Sequence, residues 1–426
     1  MTVLDPATRD RMVSLVRAAW PDPVVERIFT DAMTRTLRDA VRTASDGTTF
    51  VLTGDIPAMW LRDSAAQMRP YLPFTAEDPG LRDVVVGLVR QQAAAILRDP
   101  YANAVNARPD GAGHQDDLTE MSAWVWERKY EIDSLCFPLQ LAHQLWALTG
   151  TTDHVDTTFA RAARLVVDTL RVEQDHEARS PYRFRRLTGP ASDTLVRDGR
   201  GNPVAPTGMS WSAFRPSDDA CALNYNVPGN LFAAAALTQL ATLARRVLGD
   251  DVLAADAEAL AGQIRAAVAR HGVVEHPVHG RIYAYEVDGL GNAVLMDDAN
   301  MPSLLSLPLT GGVDPSDPLY LATRAFVLSP ANPTYVRGRA ASGVGSQHTP
   351  AGFVWPMALC VEGLTSPAVD VKRALVATLC STHAGTYRMH ESFHGDEPAV
   401  HTRDWFSWAD SMFCELVLDV AGVRLP

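Results

Sequence analysis

An all-α chain folded as an (α/α)6 toroid is what this sequence predicts, and three observations carry the prediction. Apolar residues recur with helical period in about twelve stretches, at 24–43, 62–75, 81–98, 130–149, 157–173, 228–247, 252–271, 299–309, 316–328, 353–363, 366–383 and 404–420. The connections alternate between short turns and long loops rich in Gly, Pro, Asn and Asp, the longest at 100–127, 174–227, 272–298, 329–352 and 384–403. No self-similarity at a fixed period marks a solenoid, and no Pro/Ser-rich linker divides the chain. Six inner helices wrapped by six outer ones satisfy all three, with the long loops gathered at one end. The reading is of one domain over 1–426, with residues 1–24 as an N-terminal lead-in helix.

Bulk properties narrow the function classes. The chain has 426 residues, 47% of them hydrophobic, enough for a large core. A net charge of -12 argues against a nucleic-acid surface or an anionic membrane face, and is compatible with a neutral ligand. Cys136, Cys221, Cys360, Cys380 and Cys414 are widely spaced without a C-x-x-C pair, which predicts reduced, buried thiols. Met1-Thr2-Val3-Leu4-Asp5-Pro6 opens no apolar leader, and no later run approaches the roughly 18 apolar residues of a membrane span, so a cytoplasmic protein is expected.

Taken along the chain, the loops before the helices carry the chemistry. Thr53 to Ser64 puts Asp55, Trp60, Arg62 and Asp63 on a loop-to-helix junction, with Gly54 and Pro57 marking the loop and Asp63 and Ser64 able to cap the helix. Trp124 to Asp133 adds two tryptophans, two glutamates, Arg128 and Lys129, and Met209 to Cys221 adds Trp211, Arg215, Asp218 and Asp219. A strand or hairpin is predicted at 281–287 before the Asp288-Gly289 turn, and another near 180–187. Asp297-Asp298-Ala299-Asn300, Ser346-Gln347-His348-Thr349-Pro350 with Trp355, and His390-Glu391-Ser392-Phe393-His394 with Trp405 and Trp408 complete the series. Singly, each has a structural explanation: tryptophans are more often core than stacking platforms, and an Arg-Asp pair braces a helix start. Six such clusters, each ahead of a helix, read as one rim around one pocket.

That equipment suits glycosidic cleavage, which needs two carboxyl groups across the scissile bond, hydrogen bonds for hydroxyls and aromatic faces for a pyranose. The competing motif is His390-Glu391-x-x-His394, a zinc-peptidase pattern when it lies on a helix. Gly395 and Asp396-Glu397-Pro398 follow at once, which speaks against such a helix, and no metal or cofactor is expected.

The segments Thr53–Ser64, Phe214-Arg215-Pro216-Ser217-Asp218-Asp219-Ala220, Asp297-Asp298-Ala299-Asn300 and His390-Glu391-Ser392-Phe393 together resemble glycoside hydrolase family 125, in the right order from about residue 25 to the C-terminus. The resemblance implies an (α/α)6 barrel and metal-independent, exo-acting, inverting hydrolysis of α-mannosides, chiefly α-1,6 linkages. It further implies Asp218 as general acid, with Asp219 as the other option, and Glu391 as general base. Asp55, Trp60, Arg62 and Asp63 would then hold the terminal sugar, with Trp211, Arg215, Asp219, Asn300, His348, Trp355 and His390 as further substrate contacts. Inversion requires the two carboxyl groups to stand roughly 6.5–9.5 Å apart. Two departures from the family pattern, the polar run Leu223–Asn230 and Gln347 where Pro is expected, bear on the leaving-group side. The alternatives are a zinc peptidase, a glycoside phosphorylase on the same toroid, and a non-catalytic glycan-binding protein.

Overall fold

Helices that are apolar on every side belong inside a ring, and helices with one apolar stripe belong outside it. In the computed structural model, which describes residues 4–310 and 312–425, the chain sorts itself in this way. Inner positions are taken by Leu61–Met68, Ile132–Thr149, Val227–Leu243, Pro356–Leu364 and Ser407–Val420. All of Leu61–Met68 is buried, and so is every residue from Ser407 to Asp419. Pro23–Arg35, Pro79–Arg98, Thr157–Val172, Asp251–His271, Pro318–Val327 and Val369–Ser381 wrap around them. Thr157–Val172 shows why: its buried residues Phe159, Ala162, Ala163, Val166, Val167 and Leu170 repeat at one helical face. Ile132–Thr149 packs against both Leu61–Met68 and Val227–Leu243, and Ser407–Val420 packs against both Pro356–Leu364 and Leu61–Met68, which joins the five inner helices in one continuous run of the (α/α)6 ring. Val227–Leu248 is apolar enough to cross a bilayer by composition, but here that character is spent against its ring neighbours.

The sixth inner position departs from expectation. Residues 299–309 were expected to be helical, yet they form a run of turns. Pro302 and Pro308 remove two donors, and Asp297 captures the backbone N–H groups of Leu304 and Leu305 at 2.7 and 2.9 Å. Ser303 and Ser306 also exchange side-chain and backbone hydrogen bonds, so the local groups that a helix would need are already taken.

The helix expected at 353–363 starts at Pro356 because Phe353–Val354 is a strand. The residues just before the inner helices are extended, and they pair into three small sheets at one mouth of the ring. Met59–Trp60 pairs with Ala104–Val105, which pairs with Val125–Glu127; Tyr225–Asn226 pairs with Glu286–Val287, which pairs with Ala293–Val294. Phe353–Val354, Ser392–His394 and His401–Thr402 form the third. The strand or hairpin expected at 281–287 is present as two strands, Gly280–Tyr283 paired with Val273–His276, and Glu286–Val287 paired with Ala293–Val294 across the Asp288-Gly289 turn. The strand expected near 180–187 is reduced to a single bridge between Leu118 and Arg185. The lead-in helix is Pro6–Ala19, and its expected first residues, 1–3, lie outside the described residues.

At the other end of the ring, Arg69 forks onto Glu415, its Nε and Nη2 donating to Oε2 and Oε1 at 2.9 and 2.7 Å. This pair joins the first inner helix to the last with both groups nearly out of water. Arg69→Ala is therefore expected to lower stability by about 3–5 kcal/mol, because Glu415 is left buried without its counter-charge. The double variant Arg69→Met/Glu415→Leu should recover much of that loss in denaturant unfolding; a single variant no weaker than the double would contradict the bolt-like role.

Candidate active site

The mouth where the inner helices begin holds a cavity of about 230 Å³, lined by residues from five of the six sequence clusters. It is smaller than the ~300 Å³ at which drug-sized pockets begin, which fits one hexose unit rather than a chain of them.

One guanidinium organises its floor. Arg62 opens the helix Leu61–Met68 and is buried, with Nη1 donating to Glu131 at 2.6 Å and to Asp133 at 3.3 Å. Its Nη2 reaches Asp218 at 3.5 Å, its Nε lies 3.2 Å from Asp63, and the ring of Trp408 sits 5.7 Å away. A single cation cannot neutralise four carboxylates in a buried site, so protons must be retained. Burial pushes Asp63 and Asp133 up to about 6 against the pull of Arg62, and burial carries Glu131 well above the usual carboxylate range. Asp218 goes the other way. Burial opposes its ionisation, but the hydrogen bond from Glu131 and the charges of Arg62, Lys129 and His348 outweigh that and hold it below the usual carboxylate range.

Asp218 is aimed by a tight loop. Phe214 and Ala220 pair across it, the Arg215 N–H donates to Asp219 O at 2.7 Å, and the Asp218 N–H donates to Arg215 O at 2.9 Å. Closing so short a loop puts Asp218 at φ +66°, a left-handed conformation that a non-glycine residue adopts at a cost. Lys129 Nζ secures the carbonyl of Asp218 at 2.7 Å and reaches Asp193 at 2.9 Å. Asp219 does not line the cavity: its carboxylate takes the Ser217 hydroxyl at 3.0 Å and faces His348 Nδ1 at 3.7 Å. Arg215 stands behind the loop, bonded to Glu286 at 2.5 Å and to Gln347 at 2.8 Å. Gln347 therefore ties the loop carrying His348 to the loop carrying Asp218.

Glu391 enters from the strand region at 392–394 and lines the same cavity. Arg403 stands beside it at 3.4 Å, donates to Thr53 O at 3.0 Å and pairs with Asp55 through Nε at 3.0 Å. Asp55 was expected to hold sugar, but it is exposed and engaged with Arg403 outside the lining. His390 is also behind the wall, Nδ1 against Arg403 O and Nε2 against the Thr386 hydroxyl, both at 3.1 Å, with its ring stacked on His401. His390 to His394 is extended, not helical, so its two histidines are not one helical turn apart on a shared face. Among the described residues no group of three His, Cys, Asp or Glu could hold a metal ion.

Trp60, Trp355, Phe406 and Trp408 supply the aromatic walls, and Asn300 a polar edge. Asp298 orients Asn300 by accepting from its N–H and its side-chain amide at 3.0 and 2.9 Å. Trp211 is not part of the site: it is 0% exposed and stacks on His176 at 3.6 Å, within a buried aromatic group. Sequence reasoning missed Arg403, Phe406, Glu131 and Asp133. The signal for the last two was present in the 124–133 cluster, and Arg403 precedes the flagged Trp405 and Trp408.

A larger cavity of about 640 Å³ opens at the opposite mouth, lined by Arg69, Gln144, Leu364, Lys372, Glu415 and Leu425 among others. Its buried charges are already matched, Arg69 to Glu415 and Lys372 to Asp419, and no comparable crowding of carboxylates occurs there.

His348 offers a direct test of the electrostatics. Burial pulls it down, but Asp219 first and then Asp218 and Glu391 raise it to about 9, so it is a cation at neutral pH. Its ion-pair contribution is complete below its ordinary value of about 6.5 and is lost as pH rises through about 9. Asp219→Asn should lower the His348 titration midpoint in an NMR pH series; an unchanged midpoint would remove Asp219 as the main cause.

Comparisons with known proteins agree with the geometry. A family model described as metal-independent alpha-mannosidase (GH125) matches residues 22–418. The Meiotically up-regulated gene 157 protein of Schizosaccharomyces pombe is 38% identical over 433 residues, spanning 96% of this chain and 85% of that protein. A Streptococcus pneumoniae metal-independent α-mannosidase, solved in a non-productive complex with alpha-1,6-mannobiose, is 45% identical with a TM-score of 0.97, covering 100% of both chains. A bacterial glucoamylase complexed with acarbose is 12% identical with a TM-score of 0.56, covering 93% of this chain and 56% of its own, a likeness of fold alone. This chain belongs to glycoside hydrolase family 125, the metal-independent α-mannosidases.

Proposed function

We propose that the protein removes single terminal mannose units from α-1,6-linked mannosides, with inversion, using Asp218 as general acid and Glu391 as general base. The observation that carries this reading is a cavity of about 230 Å³ whose lining brings Asp218 and Glu391 together from different elements, with an arginine beside each. Arg62 lies against Asp218, and Arg403 lies against Glu391. The α-1,6-mannobiose bound by the S. pneumoniae relative supports the linkage.

In this mechanism the terminal mannose fills the cavity between the aromatic walls. Asp218 gives its proton to the glycosidic oxygen, and the C1–O bond breaks with its electron pair on that oxygen. Glu391 takes a proton from a water that attacks C1 on the opposite face. Asp218 is preferred to Asp219 because it faces the cavity, whereas Asp219 is committed to Ser217 and His348. Arg403 stands 3.4 Å from the Glu391 carboxylate and holds it in place. Trp60, Arg62, Asp63, Asn300, His348 and Trp355 line the cavity and hold the sugar.

Proton NMR of freshly released product from α-1,6-mannobiose should show β-mannose first, with activity unaffected by EDTA. Asp218→Asn and Glu391→Gln should each lower kcat about 10²–10⁴-fold, the share that a positioned acid or base supplies. Initial α-mannose would refute inversion, and loss of activity to the chelator would refute metal independence.

A further inference from the structure

The acid has a neighbour that the mechanism above leaves unused. Glu131 is 0% exposed, and its Oε2 accepts from Arg62 Nη1 at 2.6 Å and from the Ser134 hydroxyl at 3.2 Å. Its other oxygen, Oε1, is buried, and no donor among the described residues reaches it. Glu131 and Asp218 sit on the two terminal nitrogens of the same guanidinium, Glu131 on Nη1 at 2.6 Å and Asp218 on Nη2 at 3.5 Å. A buried carboxyl oxygen with no donor is satisfied when the group carries its own proton, and the protonated group can then donate to a neighbouring carboxylate. Burial pushes Glu131 well above the usual carboxylate range while Arg62 and Lys129 hold Asp218 below it, so the two are poised as a carboxylic acid and a carboxylate.

From this juxtaposition, and resting on the reading of Asp218 as the acid, we infer that Glu131 stores the proton of the reaction and passes it to Asp218 when the glycosidic oxygen docks. Asp218 is the partly exposed member and so the one that touches substrate; Glu131 is sealed behind it. The surroundings set the direction of storage. Asp63 and Asp133 crowd Glu131 through Arg62, and burial favours its neutral form, whereas Lys129 and His348 favour the ionised form of Asp218. An acid held ionised by Arg62, Lys129 and His348 needs a source, and Glu131, on the same guanidinium, is the adjacent one.

The step balances. The proton leaves Glu131 Oε1 for one oxygen of Asp218, and Asp218 delivers a proton to the leaving oxygen as the C1–O bond breaks. Glu391 removes one proton from the attacking water and releases it to solvent after the product departs. The emptied pair, with Arg62 and Lys129 beside it, takes up one proton from solvent at the exposed Asp218 and returns it to Glu131. Glu131 is accordingly a proton-holding residue that acts through Asp218, and never touches the sugar.

Glu131→Gln tests this, because the amide keeps a donor toward Asp218 and an acceptor toward Arg62 but cannot hand over a proton. On α-1,6-mannobiose, kcat/KM should fall about 10–10³-fold, and the basic limb of the pH profile should move to lower pH, since Asp218 alone loses its proton earlier. On a dinitrophenyl α-mannoside, whose leaving group needs no protonation, the loss should be at most a few fold. Glu131→Asp, which keeps a transferable proton, should restore part of the basic limb, and it serves as the second variant if the Gln form folds poorly. Asp218→Asn is the control and must show the same sparing of the activated substrate. If it does and Glu131→Gln harms both substrates equally with an unmoved basic limb, the storage role is refuted. If Asp218→Asn itself harms both substrates equally, Asp218 is not the acid and the inference falls with that reading.

Discussion

The site depends on the contact between one buried guanidinium and the carboxylates around it. Arg62 joins Glu131 and Asp133 from the start of one inner helix, Asp63 from its own, and Asp218 from the loop ahead of a third. Without that cation, four acidic groups would be driven apart or fully protonated, and the loop holding Asp218 at a left-handed φ would lose its anchor. With it, the charge deficit keeps protons in the floor of the cavity, where an acid catalyst needs them. The same logic recurs on a smaller scale at Glu391, where Arg403 also reaches Asp55 and the carbonyl of Thr53, so three separated segments meet at one side chain.

The ring makes this convergence geometrically simple. Each inner helix starts at the same mouth, and the residues before each start are extended and cross-paired into small sheets. Functional side chains therefore sit on short strands and turns whose backbones are already hydrogen-bonded, which is stiffer than a free loop. Asp297 shows the arrangement extending to the one inner position that is not a helix. Its carboxylate caps the turns at Leu304 and Leu305, while the adjacent Asp298 orients Asn300 and accepts the Ser346 hydroxyl.

Much of the fold was legible in the sequence because the barrel is written in periodicity, which survives without knowledge of partners. The failure at 299–309 has a local cause: apolar spacing there is helical, but Asp297, Ser303, Ser306 and two prolines compete for the backbone. At the site, the clusters were legible and the individual duties within them less so. Trp211 and Trp355 look alike in sequence, yet Trp211 stacks on a buried histidine and Trp355 faces the cavity with its Nε1 bonded to Thr349 at 2.9 Å. Asp55 and Asp63 look alike as well, yet Asp55 is exposed and paired with Arg403, while Asp63 is buried beside Arg62 and lines the cavity. Glu131 was legible only as one member of the 124–133 cluster, because its significance lies in an oxygen left without a donor and in an acid brought beside it from 87 residues away in the chain.

The central claim is that Asp218 and Glu391 attend the two sides of a single glycosidic bond held in this cavity. The most direct test is a crystal structure of the Asp218→Asn enzyme with intact α-1,6-mannobiose. The account predicts the glycosidic oxygen within about 2.6–3.2 Å of the residue 218 side chain, and a water between Glu391 and C1 on the far face of the terminal ring. A glycosidic oxygen that lies against Asp219 instead, or a Glu391 carboxylate in direct contact with C1 with no room for water, would contradict it.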